Sequence, residues 1–174
     1  MPFSDQSNQP WLVGQLRELN LSSLLDVGAG SGTYGRMFAQ HFPSVSRTAI
    51  EVWKNYVYNY DLFGVYRTIH LVDVRYHDDF NYDIVIFGDI LEHMSKEDAL
   101  EVWGKVASQA KYAVISIPII HYPQDSYEGN PYEAHVKDDW SHEEVLETFT
   151  EIKEYKTSQI VGTYIAHFQK ENND

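Results

Sequence analysis

Residues 24–35 read Leu-Leu-Asp-Val-Gly-Ala-Gly-Ser-Gly-Thr-Tyr-Gly, and the rest of the chain is best understood outward from them. An apolar run carries Asp26 near its end, and glycine then stands at positions 28, 30 and 32. This pattern predicts a buried strand turning sharply into a helix, with side chains stripped from the turn. A ligand could approach that bare backbone closely, beside the N–H groups that open the helix. Such a turn suits a nucleotide-like cofactor. Gly30-Ser31-Gly32-Thr33-Tyr34-Gly35 also satisfies G-x-G-x-x-G, which seats a pyrophosphate on a helix N-terminus. Its frame is displaced, however, because Gly30 lies well beyond the strand end at Val27. Asp26 would repel a pyrophosphate, whereas its charge suits an ammonium or sulfonium group.

Composition bounds the alternatives. The 174 residues are read as a single domain over 1–174, with residues 1–9 and 170–174 expected to be disordered tails. Apolar residues make up 43% of the chain and charged residues 22%, the balance of a water-soluble globular protein. The longest apolar stretch, 112–120, is too short to span a bilayer, so no membrane partner is expected. Residues 2–9 lack the basic start and apolar segment of a signal peptide. Cysteine is absent, which excludes disulfides and thiol chemistry and makes the cytoplasm the expected location. The net charge of −13 argues against nucleic acid as the main partner, since phosphate contacts supply most of that affinity.

Hydrophobic periodicity orders the remaining elements. A short helix is expected over 11–19, strands over 24–27, 47–51, 69–73, 83–88 and 112–117, and helices over 33–41 and 53–62. Ser95 opens the clearest helix, with Asp98 completing a capping-box-like start, and another helix follows Ser141. Residues 152–158 and 161–168 suit a closing hairpin. Strands alternating with helices imply a mostly parallel α/β sheet covered on both faces. The interval 75–82 is too short for a full crossover helix.

The pattern D-x-G-x-G-x-G resembles motif I of the class I S-adenosylmethionine-dependent methyltransferases, and the resemblance covers the chain from about residue 24 to its end. It implies a Rossmann-like doubly wound sheet of seven strands in the order 3-2-1-4-5-7-6, with an antiparallel C-terminal strand. It further implies S-adenosyl-L-methionine as cofactor, its methionine and ribose parts wrapped by Asp26, Gly28, Ala29, Gly30 and Gly32, with Tyr34 flanking the methionine end.

In such sheets ligands bind beyond the carboxyl ends of the strands. Four of the first five strands deliver a carboxylate there: Asp26, Glu51, Asp73 and Asp89. Glu51 lies 25 residues after Asp26, where an acid can accept both ribose hydroxyls. Val52 or Trp53 is placed to cover an adenine face. By the resemblance, Asp73 accepts from the adenine amine and the Val74 N–H meets a ring nitrogen.

The segment Asp89-Ile90-Leu91-Glu92-His93-Met94 resembles the L-E-H that follows the fourth strand in many small-molecule methyltransferases. Asp89, Glu92 and His93 would share one face of a helical turn. Either His93 or a neighbouring acid takes a proton from the substrate, or the three form a metal site that binds substrate hydroxyls. Small-RNA 2′-O-methyltransferases carry a similar E-x-x-E-H followed by a later histidine, and here His135 precedes Trp140. Residues 124–151 form a long connection with nine acidic residues against Lys137, suited to a lid over a neutral or cationic substrate.

The expected function is methyl transfer to a small molecule or sugar, with O-methylation favoured over N-methylation. Glu92, His93 and His135 are the expected catalytic residues, and no metal ligand is assigned. A metal-assisted RNA 2′-O-methyltransferase and a non-catalytic cofactor-binding subunit are the alternatives.

Overall fold

A computed structural model describes residues 2–168. Seven strands form one sheet in the order β3-β2-β1-β4-β5-β7-β6. The strands are β1 (Ser23–Val27), β2 (Ser46–Ile50), β3 (Thr68–His70), β4 (Ile84–Gly88), β5 (Tyr112–Pro118), β6 (Ile152–Thr157) and β7 (Val161–His167). β1 pairs in parallel with β2 on one side and β4 on the other, and β7 runs antiparallel between β5 and β6. This is the order that the family resemblance implied.

Side-chain alternation along the strands divides the core in two. Leu25, Val27, Val85, Phe87, Ala113 and Ile115 face one side. There they meet Trp103 and Val106 of α4 (Lys96–Gln109) and Val145 of α5 (His142–Thr148). Leu24, Ile84, Ile86, Val114 and Ile165 face the other side. They meet Leu12 and Leu16 of α1 (Gln9–Leu16) and Phe38 of α2 (Thr33–His41). The central strands are apolar in continuous runs because both faces are buried. Among the described residues no helix is long and apolar enough to cross a membrane.

Four local expectations are corrected. β3 covers only Thr68–His70, because Asp73 accepts from the Arg75 N–H at 3.0 Å and caps a 3-10 turn, Val74–Tyr76. The helix expected over 53–62 is shorter: α3 (Lys54–Asn59) stops before Asp61, which adopts φ 48° and starts a 3-10 turn, Leu62–Gly64. α1 begins two residues earlier than expected, at Gln9, with Pro10 in its first turn. Residues 2–8, expected as a tail, lie against the molecule. The Asn8 amide donates to the Val161 carbonyl and Thr163 Oγ1, and the Pro2 carbonyl accepts from the Ser31 N–H at 2.8 Å. The other expected tail, residues 170–174, lies outside the described residues.

Candidate active site

The turn after β1 is built as the glycine spacing requires. Gly28 and Gly30 both have positive φ (64° and 52°). A Cβ on Gly28 would lie 1.9 Å from Ile90 Cδ1, and one on Gly30 would lie 2.6 Å from the Pro2 carbonyl. Neither position has room for a side chain. The Gly28 N–H donates to the Ile50 carbonyl at 2.8 Å, stitching the turn to the end of β2.

Glu51 follows directly. One carboxylate oxygen accepts from the Gly30 N–H and the other from the Trp53 N–H, both at 2.8 Å. The side chain therefore bridges the glycine turn and the start of α3. Burial pushes the Glu51 carboxyl up to about 7, against the pull of those two N–H groups.

Three adjoining cavities open along the carboxyl ends of the strands. The first, about 480 Å³, is lined by Val27, Gly28, Val52, Asp73, Val74 and Ile90, among others, and is largely apolar. The second, about 440 Å³, adds Gly30, Glu51 and Asp89. The third, about 720 Å³, is lined by Asp89, Glu92, His93, Tyr122 and His135, with Phe3, Ser4 and Asp5 on its wall. His93 borders all three, so they lie side by side in one trough along this rim.

In the first cavity Asp73 is held by Arg75, whose Nε and Nη2 donate to its carboxylate at 3.0 and 2.6 Å. These hydrogen bonds hold its pKa below the usual carboxylate range. Val74 opens its 3-10 turn, where a backbone N–H has no intrahelical acceptor.

The third cavity holds the most unusual chemistry. Asp89 adopts φ 55°, a conformation that costs a non-glycine residue energy and concentrates at functional sites. One of its carboxylate oxygens is buried without a hydrogen-bond partner. Burial raises its carboxyl to about 7. Glu92, only 2% exposed, has neither carboxylate oxygen hydrogen-bonded, and burial together with Asp89 pushes its pKa well above normal. Its backbone carbonyl accepts from the Val136 and Lys137 N–H groups, at 2.8 and 3.0 Å, and so docks the long connection against this turn.

His93 Nδ1 lies 3.2 Å from the Ala134 carbonyl, and His135 Nδ1 lies 2.5 Å from the Tyr122 carbonyl. A carbonyl only accepts, so each Nδ1 carries the proton and each Nε2 keeps its lone pair. Burial, reinforced by His135, pushes the His93 pKa down to about 4, and burial also lowers that of His135. Both rings are neutral near pH 7. The two rings stand 4.9 Å apart, centroid to centroid, in an edge-on arrangement.

No family model and no curated protein matches the chain. Solved structures do. An S-adenosylmethionine-dependent methyltransferase from Clostridium acetobutylicum ATCC 824 superposes with a TM-score of 0.71 at 12% identity, over 92% of this chain and 90% of that one. The N-terminal domain of EvdMO1, solved with SAH bound, gives 0.67 at 14% identity, over 95% of this chain and 83% of that one. The chain has the class I methyltransferase fold. An O-methyltransferase family protein from Burkholderia thailandensis gives 0.64 at 15% identity over 95% of this chain. This chain spans only 57% of the Burkholderia protein's length.

On the class I methyltransferase fold, the residues singled out from the sequence separate into two groups. Gly28, Gly30, Glu51, Val52, Asp73, Val74 and Asp89 line the trough, as do Glu92, His93 and His135. Asp26, Ala29, Gly32 and Tyr34 do not. Asp26 is buried beneath the turn, accepting a hydrogen bond from the Tyr66 hydroxyl, which in turn accepts from the Gly35 N–H at 3.2 Å. Burial raises its carboxyl to about 7 in spite of the Tyr66 bond. Ala29 and Tyr34 pack in the core, and Gly32 caps α2. Trp53 caps α3 and lies 6.5 Å from the Tyr132 ring, centroid to centroid, while Tyr132 itself borders the first two cavities.

Sequence reasoning missed Tyr66, Ile90, Arg75 and the 2–5 segment as parts of the site. Arg75 had a usable signal, two residues after Asp73. Tyr66 had none, because only the fold brings residue 66 beneath residue 26.

Proposed function

We propose that this chain is an S-adenosyl-L-methionine-dependent methyltransferase that methylates a hydroxyl group of a small molecule or sugar. The observation that carries the reading is the adjacency of the cavities in the trough. A glycine and carboxylate cradle adjoins a second chamber holding two neutral histidines, with His93 on the wall of both. That layout gives a donor and an acceptor one place each.

The residues fit the cofactor. Gly28 and Gly30 leave the turn bare where a Cβ would collide with its neighbours. Glu51 has one N–H on each oxygen and capacity left on both for ribose hydroxyls. Val52 and Ile90 offer apolar cover for a flat ring, with Asp73 and the Val74 N–H at its edge. When bound, the cofactor supplies an electrophilic methyl group on a cationic sulfur.

The chain's own part is alignment and exclusion of water. His93 and His135 present Nε2 lone pairs that accept from an acceptor O–H and aim its oxygen along the trough. A hydroxyl suits them better than a protonated amine because the amine must first lose a proton. His93, with its pKa near 4, orients the hydroxyl, and His135 Nε2 takes the proton that the hydroxyl gives up. Glu92 and Asp89 line the same chamber beside the two rings.

Calorimetry with S-adenosylhomocysteine tests the cofactor half, with Glu51→Ala expected to weaken binding at least 10-fold. Formation of S-adenosylhomocysteine in the presence of polyhydroxylated and phenolic acceptors tests the other half. Equal affinity in wild type and Glu51→Ala would remove the ribose assignment. Tight cofactor binding with no turnover on any acceptor would favour a non-catalytic subunit.

A further inference from the structure

The side chains of Glu92, His93 and His135 each bring one ligand atom to within 4.8 Å of the others. Three further features set this trio apart from a chance cluster. Each imidazole is locked by a backbone carbonyl on Nδ1, from Ala134 and Tyr122, leaving Nε2 as a fixed acceptor. This is how metal-binding histidines are oriented by their outer-shell partners. The Glu92 carboxylate is 2% exposed and lacks a partner on both oxygens. Protonation would not satisfy it, since the added O–H would itself need an acceptor. Finally, the trio borders the largest of these three cavities, about 720 Å³, so a bound ion would keep positions open to a ligand.

We propose that Glu92, His93 and His135 bind one divalent transition-metal ion whose open positions take the oxygen atoms of the acceptor. Two imidazole nitrogens and one carboxylate suit a borderline ion of the zinc, manganese or iron(II) class, whereas magnesium and calcium select oxygen-only sets. Ligand atoms on a zinc-sized ion stand about 3.4 Å apart. The trio lies within 4.8 Å, so binding requires its side chains to draw closer than they now stand. The ion takes a Glu92 oxygen and both Nε2 lone pairs, and with it bound the acceptor meets the ion rather than the imidazoles directly. Asp89, with its own unpartnered oxygen on the same cavity, stands next to the site and can hold a metal-bound water. An acceptor with two adjacent oxygens, such as a vicinal diol or catechol, would chelate the open positions and lose a proton more readily.

Metal binding stands apart from the methyl-transfer reading, so the two can fail separately. The test titrates the chelator-stripped protein with Co²⁺, read by visible absorbance, and with Zn²⁺, read by competition against a chromophoric chelator. One equivalent is expected to bind. Glu92→Gln, His93→Asn and His135→Asn should each lower affinity by more than the roughly 10–100-fold that loss of an outer-shell partner costs. Thermal melting of each variant, together with S-adenosylhomocysteine calorimetry, separates ligand loss from misfolding. His121→Asn, a surface histidine, should change nothing. Absence of stoichiometric Co²⁺ and Zn²⁺ binding overturns the site, as does binding that survives in folded Glu92→Gln and His135→Asn. Intact metal binding without any cofactor binding would leave the site standing and remove the methyltransferase reading instead.

Discussion

Glu51 and Asp26 are buried acids whose carboxyls are both raised to about 7, yet they serve different ends. Glu51 faces the trough, whereas Asp26 is spent on Tyr66 beneath the turn. The shared shift has a thermodynamic consequence. Between about pH 4 and pH 7 the folded chain binds more protons than the unfolded chain, so these two groups make it less stable as pH rises through that window. A ligand that donates hydrogen bonds to Glu51 favours its ionised form and must release protons. Binding of S-adenosylhomocysteine should therefore tighten from pH 6 to pH 8. Its calorimetric heat should also depend on the ionisation enthalpy of the buffer. A heat identical in phosphate and Tris would contradict this.

Tyr66→Phe removes the hydroxyl that satisfies Asp26 and should cost about 1–3 kcal/mol, as a buried acceptor loses its donor. Urea unfolding measures it. A loss below about 0.5 kcal/mol would mean that water or another donor replaces the phenol. The sequence singled out Asp26 through its place before the glycines but held no sign of its bond to Tyr66, because that partner comes from a loop 40 residues away.

At the scale of elements, one carboxylate ties three strand starts together. Asp83, just before β4, accepts from the Ser22 N–H at 2.7 Å and Oγ at 2.5 Å, ahead of β1, and from Lys111 Nζ at 2.6 Å, ahead of β5. Burial alone would raise its pKa, but the Lys111 and Ser22 hydrogen bonds outweigh that and hold it at about 2. This is a lowered carboxylate, so its stabilisation is present above about pH 4 and is lost as pH falls through 2. The size is on the order of 2 kcal/mol. Asp83→Asn should lower stability at pH 7 and flatten the acid limb of a pH–stability curve. An unchanged limb would show that other acids dominate it.

Strands and long helices were legible because their periodicity is strong: α2 falls on the expected residues 33–41, and α4 starts at the expected Ser95 cap. β3 and α3 were misjudged by a few residues because local side-chain and backbone details, the Asp73 cap and the left-handed Asp61, end them early.

For the whole molecule, the net charge of −13 and the acidic connection over 124–151 predict no useful affinity for RNA. Fluorescence anisotropy with a labelled single-stranded RNA at 150 mM salt should show no saturable binding. A complex that weakens steeply with salt would revive the RNA alternative. Residues 2–8 cross from the β6–β7 hairpin, where Asn8 is anchored, to the glycine turn, where Pro2 accepts from Ser31. Removing residues 2–5 while keeping Asn8 should speed release of S-adenosylhomocysteine and leave the melting temperature nearly unchanged. Stopped-flow displacement distinguishes this from a purely structural segment, whose loss would lower the melting temperature and leave the release rate alone.

By itself, the sequence determined the alternation of strands and helices, the bare turn and the chain positions that reach the ligand rim, because these follow from local patterning, while the sheet order was what the family resemblance implied. Tertiary structure alone decided which acids face the trough. It also set Tyr66 under Asp26 and drew His135 to His93 across 42 residues, since encounters between distant segments depend on how layers pack and leave no periodic trace in the chain.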